Sequence, residues 1–224
     1  MLQSLTSHPE CVFCQEFDGP GPSIFHEASG GEIPSRVIHR TERFLVFPPL
    51  GEFIEGGLLL ATREHVMSMA HLDPLGYEEL EALMREVSDR LSSRYGCRPL
   101  CFEHAPVCAG DKGTCCVDHA HLNVFPARVD VHEHLKKFPH TKIDGMRELA
   151  DMKHRGQPYL FLQDNEGNRF VYQAGIVPSQ YVRRIVTATL GMPQRWHWRD
   201  YLGLDELKRT LAALSPWRCC DASG

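Results

Sequence analysis

The stretch from Val117 to Pro126 reads VDHAHLNVFP, with His119, His121 and Asn123 at every second position and Ala120, Leu122 and Val124 between them. Only an extended strand sends a two-residue period to opposite faces; on a helix the same residues would scatter around the axis. The chain must therefore build a sheet with one face packed on a core and the other displaying two imidazoles and an amide. Successive polar side chains on that face stand roughly 7 Å apart. An ordinary exposed edge strand would explain the same alternation, so the rest of the chain has to decide.

The neighbouring sequence supplies the sheet and its cover. SRVIHRTERFLVF, from Ser35 to Phe47, reads as two strands broken at Thr41-Glu42-Arg43, and LLLAT after Gly56-Gly57 reads as a short buried strand. Asp73 and Pro74 open a long helix with Leu80, Leu83, Met84, Val87 and Leu91 on one stripe, closed at Gly96. PLCFEH is the strand expected to pair with the His-rich one. Beyond Pro126 a short helix is expected near Met146 to Lys153 and a hairpin turning at Asn165 to Gly167. A helix with Pro178 in its first turn and a final helix from Asp205 to Leu214 follow. The fold class expected is α+β: a domain over 1–126 and an extension over 127–224 packed on it.

Composition narrows the function. A formal charge of −5 and a pI near 6.2 give no global basic field, which argues against a nucleic-acid partner and for a small ligand. No run approaches the roughly 20 apolar residues of a membrane helix, and the N-terminus has no signal-peptide pattern, so a cytoplasmic protein is expected. Nine cysteines in a chain of this size point to metal binding or packing rather than a disulfide framework. Cys11 and Cys14 form a C-x-x-C pair. A redox pair would be expected near a βαβ pattern, and none follows; a structural zinc is the better reading if two further donors exist.

The C-x-x-C pair, the hairpin, the G-x-L-L-L-x-x-x-x-H run from Gly57 to His65, the long helix and H-x-H-x-N occur in one order. Together they resemble the histidine-triad (HIT) superfamily over Cys11 to Pro126, near the nucleotidyltransferase branch with H-x-H-x-Q that includes galactose-1-phosphate uridylyltransferase. PSQYVRR followed by WHWRDY also resembles, over a short span, the C-terminal segment of splicing-associated CwfJ-type proteins.

The resemblance implies a HIT-like antiparallel sheet, a homodimer, and zinc held by Cys11, Cys14, His65 and His119. A closed Cys₂His₂ set is structural chemistry, with no position left for a reactive water. It further implies that His121 attacks the α-phosphorus of a nucleotide or nucleotide conjugate and forms a covalent nucleotidyl-histidine. Asn123 departs from both common third residues: its amide can donate to a phosphoryl oxygen but cannot act as an acid, which favours transfer over hydrolysis. The rival reading is a zinc-stabilised nucleotide- or RNA-binding module without turnover.

Substrate contacts are expected from Glu103 and His104 at the end of the adjacent strand, and from Thr114 in the GDKGTCC loop, whose backbone amides could cradle an anion. The Arg183-Arg184 pair could offer a guanidinium to a phosphate. His132, His134 and His140 read as solvated positions rather than a second metal site.

Overall fold

The computed structural model describes residues 8–19, 21–106, 117–173, 177–215 and 217. Thr114 and the pair Cys115-Cys116 lie outside the described residues. The architecture is α+β, as expected: one eight-stranded antiparallel sheet with helices on both faces. The strands are β1 (His39–Arg40), β2 (Phe44–Phe47), β3 (Leu58–Thr62), β4 (Leu100–Ala105), β5 (His121–Phe125), β6 (His140–Ile143), β7 (Tyr159–Gln163) and β8 (Arg169–Gln173). Their order is β1-β2-β3-β5-β4-β7-β8-β6. The 126/127 division thus falls between β5 and three strands that continue the same sheet through the β4–β7 pairing, in which Phe102 faces Leu162 and His104 faces Leu160.

One face of the sheet packs on α3 (Pro74–Tyr95). Asp73 caps this helix by accepting from Gly76 N–H, Pro74 sits at its first turn, and Gly96 ends it in the left-handed conformation. The apolar stripe read from the sequence, Leu80, Leu83, Met84, Val87 and Leu91, meets Leu58 and Leu60 of β3 and Leu122 and Val124 of β5. The alternation in VDHAHLNVFP has the outcome a period of two demands: Leu122 and Val124 enter this core, and His121 and Asn123 face the other way.

On that second face two separate covers leave the middle open. At one end α1 (Val12–Phe17) packs Phe13 against Leu45 and Phe47 of β2 and Leu59 of β3, with α2 (Ile24–Ala28) beside it. At the other, α4 (Val131–Leu135) and α6 (Tyr181–Thr189) cover β4, β7 and β8 through Val131, Leu135, Val182 and Val186. Between the covers, the outward side chains of β3, β5 and β4 floor a cleft.

Two local features differ from the sequence reading. α6 begins at Tyr181, so Pro178 lies in the turn leading into it, where its carbonyl accepts from Tyr181 N–H at 3.1 Å, and Gln180 takes a positive φ of 58°. His119 precedes β5: its N–H turns back to the Val117 carbonyl, while Ala120 pairs with Thr62 and Val66. That bend is what releases the His119 ring toward α1. The remaining helices, α5 (Ala150–Arg155) and α7 (Leu204–Leu214), lie near the expected positions. No helix among the described residues is long and apolar enough to cross a membrane.

The roof of the cleft is clamped to the sheet. Gly51 N–H donates to the Leu202 carbonyl at 2.7 Å, and Gly203, at φ +63°, lies so close to the Glu52 backbone that a Cβ there would meet the Glu52 carbonyl oxygen at 1.9 Å. Thr210 of α7 donates to buried Glu52 Oε1, which also accepts from Gly57 N–H at 3.0 Å. Residues far apart in sequence are thereby fixed over the loop between β2 and β3.

Candidate active site and metal centre

Cys11, Cys14, His65 and His119 meet behind α1, with their four ligand atoms all within 4.8 Å of one another, the sole such group among the described residues. Cys11 is the N-cap of α1 and Cys14 lies one turn on, so the C-x-x-C spacing turns both thiols to one side. Cys11 Sγ to His119 Nδ1 is 3.3 Å, Cys14 Sγ to His65 Nδ1 is 3.5 Å, and Cys14 Sγ to His119 Nδ1 is 3.7 Å. A tetrahedral zinc with Zn–S of about 2.3 Å and Zn–N of about 2.0–2.1 Å spaces sulfur and nitrogen by roughly 3.5 Å, so the set fits the ion.

The protonation chemistry agrees with that fit. Burial pushes the Cys11 thiol up to about 11, so it holds the ligating thiolate only with a cation beside it. Burial pushes the His119 imidazole down to about 4, toward the neutral form that ligates. The opposite nitrogen of His119, Nε2, lies 2.7 Å from the Thr62 carbonyl, so Nε2–H donates there and Nδ1 carries the lone pair that faces the thiols.

Two residues on, His121 makes the mirror-image choice. Its Nδ1 lies 2.7 Å from the His119 carbonyl oxygen, which can only accept, so Nδ1 holds the proton and Nε2 keeps the lone pair in the neutral ring. Burial lowers the pKa of His121 and so favours the neutral state, against that hydrogen bond and the charge of Glu103, which raise it. Phe13, inside the C-x-x-C motif, stands edge-on to both imidazoles at 5.6 and 5.5 Å between ring centres. One helix thus carries the thiols and also wedges the ring of His121.

His121 and Asn123 lie on the floor of the cleft, a cavity of about 120 Å³ that opens to solvent. Its largely apolar wall with a few polar groups suits part of a small organic ligand, the rest reaching into the opening. Pairing puts Asn123 between Leu59 of β3 and Phe102 of β4. The β4–β5 pairing ends at Phe102 and Asn123; His104, two residues further along β4 and so on the same face as Phe102, also lines the cleft. His104 is 8% exposed, and its Nε2 has no hydrogen-bond partner among the described residues.

Glu103 is elsewhere. One residue along the strand it points to the α3 face, where Oε1 accepts from Met69 N–H at 2.9 Å and Oε2 from Tyr159 O–H at 2.5 Å. It does not line the cleft, so a direct substrate contact is not supported by its position; the alternation of β4 separates it from His104. The sequence reading treated the two together because they are adjacent.

Two parts of the site were not legible in sequence, and a third, Arg183, was named there only as a phosphate contact. Arg36 and Glu16 form a buried bidentate pair at 2.7 Å along the wall, with the guanidinium between the rings of Phe25 and Phe47. Trp198 and the start of α6, including Gln180, close the opposite side. Arg183 lines the cleft and braces its roof: its guanidinium lies 4.9 Å from the Phe53 ring centre and donates to the Gly51 and Trp196 carbonyls. Arg184 instead covers the Trp196 ring. His132 stacks on Phe170 at 4.2 Å beside His140, and neither joins a metal-binding group among the described residues.

No protein-family model and no curated protein matches the chain. Among solved structures it is similar to a hypothetical histidine triad nucleotide-binding protein from Sulfolobus tokodaii, with a TM-score of 0.35 and 16% identity over 46% of this chain and 66% of that one. A zinc-bound histidine triad family protein from Mycobacterium smegmatis gives 0.31 and 20% over 59% and 91%. Yeast Ap4A phosphorylase Apa2, solved with AMP, gives 0.41 and 13% over 82% and 80%. With each of these TM-scores below 0.5, no residue role passes from them to this chain, whose chemistry rests on its own geometry.

Proposed function

We propose that the cleft binds a nucleoside phosphate or nucleotide conjugate and that the protein is a nucleotidyl transferase or hydrolase working through His121. The observation that carries this reading is the hydrogen bond from His121 Nδ1–H to the His119 carbonyl, which leaves Nε2 as the nucleophilic nitrogen on the floor of the cleft. The order of motifs resembling the histidine triad supports the same assignment.

In the first step the Nε2 lone pair attacks the α-phosphorus, the N–P bond forms, and the P–O bond to the leaving group breaks with its electron pair on oxygen. In the second, an acceptor oxygen attacks the same phosphorus and the N–P bond breaks, returning the imidazole. Splitting the transfer in two lets one residue serve donor and acceptor in turn. Asn123, which lines the same cleft, would donate its amide N–H to a phosphoryl oxygen as negative charge builds there. Cys11, Cys14, His65 and His119 would hold zinc in a closed shell, which supplies rigidity rather than a reactive water. Their effect on His121 is positional, because His119 contributes a ring to that cluster and its carbonyl to the neighbouring imidazole.

The test is incubation with α-³²P-labelled nucleotides and dinucleoside polyphosphates, followed by isolation of acid-labile protein-bound label. Label present in the natural chain and in His132→Ala, and absent in His121→Ala, supports the reading. A protein that binds nucleotide tightly yet forms no label and turns over no member of the panel is a binder, and the reading falls.

A further inference from the structure

Nucleotidyl transfer by His121 leaves one task unassigned. Unless the leaving oxygen is already a stable anion, it needs a proton as the P–O bond breaks, and the acceptor must later give one up. Asn123 cannot exchange a proton near neutral pH. His121 forms the N–P bond, and its other nitrogen is committed to the His119 carbonyl.

The remaining charged groups of the described lining are also committed. Glu16 holds both oxygens against the Arg36 guanidinium, and neither Arg36 nor Arg183 releases a proton. His104 is left. It lines the same cleft as His121, and on β4 it lies two residues beyond Phe102, the partner of Asn123, on the same face of the strand. Its Nε2 is buried without a partner among the described residues, a costly state for a polar atom unless a ligand completes it.

We propose that His104 is the general acid and base of the transfer, filling the role that Asn123 cannot; this rests on His121 being the nucleophile. As His121 Nε2 bonds to phosphorus, the His104 imidazolium gives its Nε2 proton to the departing oxygen and becomes neutral. In the second step the neutral ring takes the proton of the attacking acceptor as the N–P bond breaks, restoring the imidazolium. Burial alone holds His104 down at about 4 in the empty cleft. An anionic phosphate within hydrogen-bond reach supplies the opposite charge that favours the protonated ring. Leu160 is the partner of His104 on β7, and the titratable and charged groups that line the same cleft are His121 from β5, Glu16 and Arg36 along the wall, and Arg183 from α6.

The test uses adenosine, guanosine, cytidine and uridine 5′-phosphates esterified with substituted phenols of graded basicity. p-Nitrophenolate departs without a proton and unsubstituted phenolate does not. The natural chain is expected to show kcat/KM nearly independent of leaving-group basicity. His104→Gln and His104→Asn, checked for natural melting temperature and metal content, should stay within about threefold of it on p-nitrophenyl esters and fall roughly 10²–10⁴-fold on phenyl esters. Equal losses across the series, or no loss, overturn the inference while leaving His121 as nucleophile. A steep dependence in the natural chain overturns it even if both variants fail to fold. If the natural chain cleaves none of the esters and forms no labelled histidine, the reading of His121 falls first and takes this one with it.

Discussion

The carbonyl oxygen of His119 accepts the Nδ1 proton of His121 at 2.7 Å, while the ring of His119 turns its own Nδ1 to the thiols of Cys11 and Cys14. One residue therefore joins two sites. Its side chain belongs to the four-donor cluster, and its backbone fixes the tautomer of the neighbouring imidazole. Rigidity in the first becomes orientation in the second.

If that relationship governs activity, His121→Ala should lower turnover by about 10³-fold or more while leaving metal content unchanged. His119→Ala should lose both metal and activity. Metal analysis beside steady-state rates checks the pair; metal loss in His121→Ala would show that the two roles are not separate.

Removing the metal should loosen the N-terminal part of the chain, because the cluster ties α1 to the exit of β3 and the approach to β5. For Cys14→Ser we expect loss of about one zinc per chain and a destabilisation of about 3–5 kcal/mol, a fall of roughly 10–15 °C in Tm for a chain of this size. Calorimetry with and without a chelator tests it: the natural chain plus chelator should melt near the variant.

Glu103 should leave a pH signature in stability. Burial pushes its carboxyl up to about 7 from an ordinary 4.5, against opposing hydrogen bonds from Tyr159 and Met69. Between those two values the folded chain holds a proton that the unfolded chain has released. This contribution is therefore full below about pH 4.5 and is lost as pH rises through about 7, with a slope of at most about 1.4 kcal/mol per pH unit. Urea denaturation from pH 5 to 8 should show the decline, and Glu103→Gln should flatten it.

The roof should fail as a unit. Arg183 has 7% exposure, stacks on Phe53 and donates to two backbone carbonyls, so Arg183→Ala removes packing and leaves those acceptors bare. We expect a loss of about 2–4 kcal/mol and a raised KM. Arg183→Lys should not restore it, since an ammonium cannot reproduce the planar fork. Denaturant melts with Michaelis kinetics decide; full rescue by lysine would refute the bracing role.

The strand alternation, the capped stripe of α3 and the order of the motifs were determined by the sequence itself, because period, caps and turn residues act over a few neighbours. Spacing alone picked out Cys11 and Cys14 as a metal-binding pair; His65 and His119 joined them only through the resemblance to the histidine-triad motif order. What only the tertiary structure decided is which side each neighbour takes and what lies across from it. Glu103 and His104 are adjacent in sequence yet sit on opposite faces of β4, one bonded to Tyr159 and the other in the cleft. Arg36 with Glu16, and Trp198, reach the cleft from distant segments through long-range packing, for which no local pattern exists, and the bracing of the roof by Arg183, named from sequence only as a phosphate contact, depends on the same packing. The bend before β5 that frees the His119 ring depends on pairing with Thr62 and Val66, contacts that form only once the sheet has assembled.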